Sequence, residues 1–141
     1  MAIEQLDKPF GLILGSRILK QKTIDATSGI LNLHPGLLPQ NRGLETVLNA
    51  IVRDLPQAVS GHLISAEIDR GVLLETEFVP VLEGDSVRDI DARVTSYEFE
   101  MAVRLVKLAL VGSLPAGSNL AEGNYNHPLD AQGLAFATGK L

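Results

Sequence analysis

Asn32 and His34 are the first residues of this sequence whose types and spacing could do chemistry. They lie in an apolar stretch, residues 30–34, that predicts a strand, and residues i and i+2 of a strand point to the same side. An amide donor beside an imidazole could stabilise an oxyanion and move a proton. The residues alone leave open a polar strand end that only caps a turn.

A second candidate is the segment that begins at His62 and ends in the turn signal Asp69-Arg70-Gly71. A carboxylate on such a glycine-bounded turn could orient His34 or accept a proton. Ordinary Asx-turn chemistry is the alternative interpretation, and the segment taken by itself favours it.

The composition excludes several classes of site. Lys and Arg number 12 and Asp and Glu 17, which gives a net charge of −5. The chain therefore has no excess of positive charge that would attract nucleic acid or an anionic membrane. Without cysteine there is no disulfide scaffold, zinc–thiolate site or thiol nucleophile, and three scattered histidines do not indicate a metal site. The sequence shows neither a signal peptide nor an apolar run long enough to span a bilayer, so we expect a soluble, cytoplasmic protein.

The elements that must position these residues follow from the hydrophobic patterning. It predicts strands at 11–15 (buried), 30–34, 58–68 and 72–81, short helices at 21–28 and 44–54, and a long helix that begins at an N-cap, Ser86, and ends before Pro115. The order of these elements indicates an α/β sheet that is mostly parallel at first. Residues 113–141 are rich in Gly, Asn, Ala and Pro without a period, which predicts a poorly ordered tail.

Several short sequence motifs have the order and spacing that are typical of one protein family. They are Asn-x-His-Pro-Gly-Leu-Leu-Pro at 32–39, Arg42-Gly43, His62 with Asp69-x-Gly71, Val79-Pro80-Val81, Asp85, the long helix and the upstream Gly15-Ser-Arg-Ile-Leu19. Over about residues 11–110 the chain resembles the folate-dependent formyltransferase family. The resemblance implies the C-terminal half of a formyltransferase-type, Rossmann-like α/β sheet with a long C-terminal helix, in a domain of residues 1–112.

The resemblance also implies a reaction, the transfer of a formyl group from 10-formyltetrahydrofolate to a small-molecule amine through a tetrahedral intermediate. Asn32 would donate to the oxyanion, His34 would hold that charge or act as an acid, and Asp69 would orient His34 or a water and help take the amine proton. His62 is expected to be a supporting or sheet residue. The residues implied to line the pterin pocket are Arg17, Ile18, Leu19, Glu67 and Ile68.

Members of the family normally have about three β-α units before the strand at 11–15, so the resemblance implies a truncated domain with an open strand edge. Because such an edge promotes aggregation, we expect a second copy, a partner chain or the tail to cover it. Two alternatives to the transferase stay open. One is a non-catalytic remnant that binds folate weakly or serves as a structural subunit, and the other is a formyltetrahydrofolate hydrolase with water as the acceptor.

Overall fold

The computed structural model describes residues 7–13, 19–65 and 71–140, and its main element is a five-stranded sheet packed on one long helix. The strands are β1 (Phe10–Ile13), β2 (Gly29–His34), β3 (Arg42–Gly43), β4 (Ala58–Ile64), β5 (Gly71–Phe78), β6 (Ser118–Asn119) and β7 (Tyr125–Asn126). The helices are α1 (Gln21–Asp25), α2 (Thr46–Val52), α3 (Val87–Leu110) and α4 (Ala131–Gly139).

The main sheet has the strand order β1-β2-β4-β5-β6. β1 and β2 are parallel, and every later neighbouring pair in this sheet is antiparallel. The predicted α/β class and element order are therefore confirmed, as is the expectation that the sheet is parallel at first. A second, smaller sheet joins β3 to β7 in parallel.

One face of the sheet packs against α3 and forms the core. Leu31, Leu33 and Val59 alternate with polar residues along β2 and β4, so their side chains share the face that α3 covers. The packing is close, because a Cβ added at Gly61 would lie 2.5 Å from Leu105 Cδ1. The other buried core residues are Val47, Val79, Ile90, Val94, Met101 and Ala102.

The start of α3 is fixed by two side chains. Ser86 caps the helix as predicted, since its hydroxyl accepts from Asp89 N while the Asp89 carboxylate accepts from Ser86 N at 2.9 Å. Asp85 accepts from Leu82 N at 2.7 Å and from both terminal nitrogens of Arg93 at 2.6 and 2.9 Å. These hydrogen bonds lower the pKa of Asp85 to about 2. Asp85 thus shapes the turn that leads into α3.

Residues 113–140 differ from the poorly ordered tail that their composition predicts. β6 pairs with the outer edge of β5, β7 pairs with β3, and α4 packs against α2. Leu129 N donates to Glu45 Oε2 at 2.7 Å, and the Lys140 ammonium binds the Ile51 carbonyl at 3.0 Å. The order comes from tertiary contacts, which leave no periodic signal in the sequence.

β1 also differs from its prediction as a buried strand. Its residues are alternately exposed and half buried, with Leu12 41% exposed. The reason is that, within the described residues, β1 is an edge strand that pairs with β2 on one side and with no strand on the other. The tail strands pair at other places and do not cover β1 within the described residues. Its coverage by a second copy or a partner chain stays a prediction.

Candidate active site

The face of the sheet opposite α3 carries four polar side chains at the carboxyl end of β2. Asn32 pairs across the strands with His62, and His34 pairs with Ser60. These residues alternate with Leu33 and its apolar neighbours, so the period of the strands places them together on the face away from the core. Asn32 and His34 therefore share one side of the sheet, as predicted.

His62 holds the side-chain amide of Asn32. The distance from Asn32 Nδ2 to His62 Nε2 is 3.1 Å, and His62 is fully buried. An amide nitrogen can only donate, so His62 Nε2 accepts and its ring proton lies on Nδ1. Nδ2 has a second N–H, which this contact leaves for a substrate oxygen. The register of β4 against β5 shifts between Gly61 and His62.

The imidazole of His34 is held by the loop that follows β2. Its Nε2 lies 2.7 Å from the backbone carbonyl of Asn41, and only 4% of the residue is exposed. A carbonyl oxygen can only accept, so Nε2 carries the proton and donates. This bond fixes the orientation of the imidazole, with Nδ1 on the side of the ring away from the Asn41 carbonyl.

The loop that follows β2 is fixed to β4 by one hydroxyl group. Ser60 Oγ donates to the Gly36 carbonyl at 2.7 Å and accepts from Leu38 N at 3.1 Å. The Leu38–Pro39 peptide bond in this loop is cis. A Cβ added at Gly36 would lie 2.7 Å from the Asn41 carbonyl oxygen and 3.0 Å from His34 Nε2, so glycine allows the ring and the carbonyl to meet.

Asn41 belongs to a buried hydrogen-bond network that the sequence analysis did not anticipate. Its Nδ2 donates to the Thr46 carbonyl at 2.9 Å, and its Oδ1 accepts from Nδ2 of Asn126. Arg53 Nη1 lies 3.0 Å from both Asn126 Oδ1 and the Gln40 carbonyl. Asn126 is 85 residues from Asn41, and no motif in the sequence pointed to it.

The other predicted site residues lie mostly outside the described part of the chain. This holds for the implied third catalytic residue, Asp69, and for the pocket residues Arg17, Ile18, Glu67 and Ile68. Leu19 is described, half buried, two residues before α1. Among residues 7–13, 19–65 and 71–140, no group of three His, Cys, Asp or Glu side chains could hold a metal ion. In the same residues no helix is long and apolar enough to cross a membrane.

Comparison with known proteins decides the family. The family model described as Formyl transferase matches residues 10–106, which include β1 to β5 and most of α3. The chain belongs to the formyl transferase family. The expected resemblance is therefore confirmed, and the matched range contains Asn32, His34 and their supports Ser60 and His62.

Individual relatives agree with this assignment. A phosphoribosylglycinamide formyltransferase of Haemophilus influenzae is 33% identical over 107 residues, which are 74% of this chain and 50% of that protein. The crystal structure of glycinamide ribonucleotide transformylase 1 from Symbiobacterium toebii has a TM-score of 0.70 at 28% identity, covering 83% of this chain and 57% of that one.

A formyltransferase of Anoxybacillus kamchatkensis shares the fold, with a TM-score of 0.75 at 23% identity and coverage of 86% of this chain and 64% of that one. It was crystallised with a UDP-linked formamido sugar and tetrahydrofolate. The chain spans about half the length of the curated relatives it matches.

Proposed function

We propose that this formyl transferase takes the formyl group of 10-formyltetrahydrofolate and transfers it to an amine acceptor at the carboxyl end of β2. The observation that carries the proposal is the pair Asn32 and His34, side by side on one face of the sheet and each held by a separate hydrogen bond. Crevices outside the carboxyl ends of strands are where α/β sheets commonly bind their ligands.

In the proposed reaction the amine nitrogen attacks the formyl carbon, and the carbonyl oxygen becomes an oxyanion. The second N–H of Asn32 Nδ2 donates to this oxyanion, and the bond to His62 fixes the direction in which it points. A donor that is already oriented stabilises the charge without any reorganisation during the reaction. His62 thus supports the reaction without touching the substrate.

The tetrahedral intermediate then collapses as the bond between the formyl carbon and N10 of the folate breaks. His34 holds the developing charge or acts as the acid that gives a proton to N10. Asp69 takes the proton that the amine loses. The products are the formamide of the acceptor and tetrahydrofolate, so one proton leaves the amine and one arrives at N10.

The folate would lie against Arg17, Ile18, Leu19, Glu67 and Ile68, which we propose bind the pterin largely through backbone groups. The tetrahydrofolate in the Anoxybacillus relative supports a folate donor. The relatives named above act on a ribonucleotide or carry a sugar nucleotide, which supports a small-molecule amine as acceptor.

The test is a transfer assay with 10-formyltetrahydrofolate as the donor. It is run without any amine and with each of a set of amines that includes glycinamide ribonucleotide and amino-sugar nucleotides. Asn32→Ala should lower kcat by about 100-fold to 1,000-fold, as expected for the loss of one oxyanion donor. His34→Gln should lower it by about 100-fold or more. His127→Gln is the matched control and should leave the rate unchanged, because His127 is exposed and its ring packs against that of Tyr125, with the centroids 5.2 Å apart.

Other outcomes would contradict the proposal. Release of formate and tetrahydrofolate without any amine would identify a hydrolase. A folded chain that neither binds folate nor turns it over would identify the non-catalytic alternative. Equal rates for Asn32→Ala and the original chain would place the reaction at a different part of the molecule.

A further inference from the structure

We propose that Asn126, in the C-terminal segment, is a positioning residue that holds His34 through Asn41. The proposal rests on the proposed function, since it assumes that His34 acts in formyl transfer. It adds a residue of β7, outside the range matched by the family model, to the machinery of the site.

The first step is the direct contact between two buried amides. Asn126 is 6% exposed and Asn41 is 1% exposed, and Nδ2 of Asn126 donates to Oδ1 of Asn41. The other end of the Asn41 amide donates to the Thr46 carbonyl at 2.9 Å. Because both ends of this side chain are bonded, the backbone of Asn41 is fixed, and its carbonyl is the acceptor for His34 Nε2.

Arg53 fixes the orientation of Asn126. A guanidinium only donates, so the Asn126 atom that lies 3.0 Å from Arg53 Nη1 must be the amide oxygen. The amide nitrogen of Asn126 then faces Asn41. Arg53 also donates to the Gln40 carbonyl at 3.0 Å, so the arginine is bound to the same loop that it helps to order.

The backbone of this segment is held independently of the Asn126 side chain. Arg42 N donates to the Asn124 carbonyl and Leu44 N to the Asn126 carbonyl, each at 3.1 Å. A change of the Asn126 side chain therefore leaves the pairing of β3 with β7 in place. The side-chain link to Asn41 can be tested separately from the docking of the segment.

The most selective variant is Asn126→Asp, which is nearly isosteric. The carboxylate still accepts from Arg53 but presents an oxygen, without a proton, to Asn41 Oδ1. Rotating the Asn41 amide would only exchange this repulsion for another, because its oxygen would then face the Thr46 carbonyl. Asn124→Asp is the matched control, since it introduces the same charge two residues away at an exposed side chain.

The experiment is ¹⁵N-resolved NMR of the histidine rings at neutral pH, combined with the transfer assay. In Asn126→Asp the His34 Nε2–H proton should exchange with water at least tenfold faster than in the original chain. kcat should fall at least fivefold, with KM for the folate changed less than twofold. In Asn124→Asp all three quantities should stay within twofold.

Unchanged exchange of the His34 ring proton in a folded Asn126→Asp variant would overturn the proposal, as would an equal effect of Asn124→Asp. If Asn126→Asp does not fold, Asn126→Ala is measured in the same way, and unchanged exchange there is equally decisive. The ring measurement needs no substrate. A chain without transferase activity but with the faster exchange would therefore refute the proposed function and keep the positioning role.

Discussion

Gly36→Ala tests whether the contact between His34 and Asn41 is as tight as the structure shows. The added Cβ would lie 2.7 Å from the Asn41 carbonyl oxygen and 3.0 Å from His34 Nε2, the two ends of one hydrogen bond. Cβ atoms in proteins essentially never lie closer than 3.0 Å to another heavy atom, so one of these two groups must shift. The Asn41 side chain is bonded at both ends and cannot withdraw easily, so we expect the imidazole to move.

The size of the effect follows from three contributions. Overpacking costs about 1–3 kcal/mol, and a buried ring N–H without its acceptor costs about 1–3 kcal/mol. The smaller freedom of alanine in the unfolded chain returns about 0.4–1 kcal/mol. The free energy of unfolding should therefore fall by about 1–6 kcal/mol, a large share of the stability of a typical domain.

Urea denaturation followed by circular dichroism measures this change. Gly139→Ala is the control, because a Cβ at the end of α4 would meet nothing within 4 Å. It should leave the stability unchanged or raise it by up to about 1 kcal/mol. A Gly36→Ala variant that stays within about 0.5 kcal/mol of the original chain, with unchanged His34 ring resonances, would show that the contact is not tight.

Three further predictions concern α3. Ser86→Ala removes the helix cap and should lower the free energy of unfolding by about 1 kcal/mol in the same denaturation assay; no change would show that the cap is unimportant. The lowered pKa of Asp85, caused first by Arg93, gives stability that is present above about pH 4 and is lost as the pH falls toward about 2. Between pH 2 and 5 the free energy of unfolding should depend less steeply on pH in Asp85→Asn than in the original chain. Equal slopes for the two chains would contradict this. Burial, with a smaller effect of Asp91, raises the pKa of Glu98 to about 7, so stability falls as the pH rises from 4.5 through 7. Glu98→Gln should stabilise the chain at pH 8 but not at pH 4, and a carboxyl resonance that titrates near 4.5 in NMR would refute the shift.

Sequence patterning predicted the elements whose signals are local. The hydrophobic patterning and the cap at Ser86 predicted α3, because both depend on residues within a few positions of each other. The alternation along β2 correctly placed Asn32 and His34 on one side. The composition of residues 113–140 misled, since their order depends on pairing with β3 and β5.

The candidate site was predictable in part for the same reason. Asn32 and His34 lie within one motif, whereas Asn126 reaches the site only because β7 docks beside β3. No local sequence pattern indicates a contact between residues so far apart in the chain. The catalytic role of Asp69 stays a prediction from the family resemblance, because it lies outside the described residues.

The most direct test of the folate site is calorimetric titration of the purified chain with a non-hydrolysable 10-formyl folate analogue. We expect saturable binding with a micromolar Kd, about −8 kcal/mol, that weakens at least tenfold in Asp69→Asn. Asp91→Asn removes the same charge from an exposed position of α3 and should leave the binding unchanged. A folded original chain that gives no heat of binding would contradict a folate site. Equal binding by the original chain and Asp69→Asn would contradict it too.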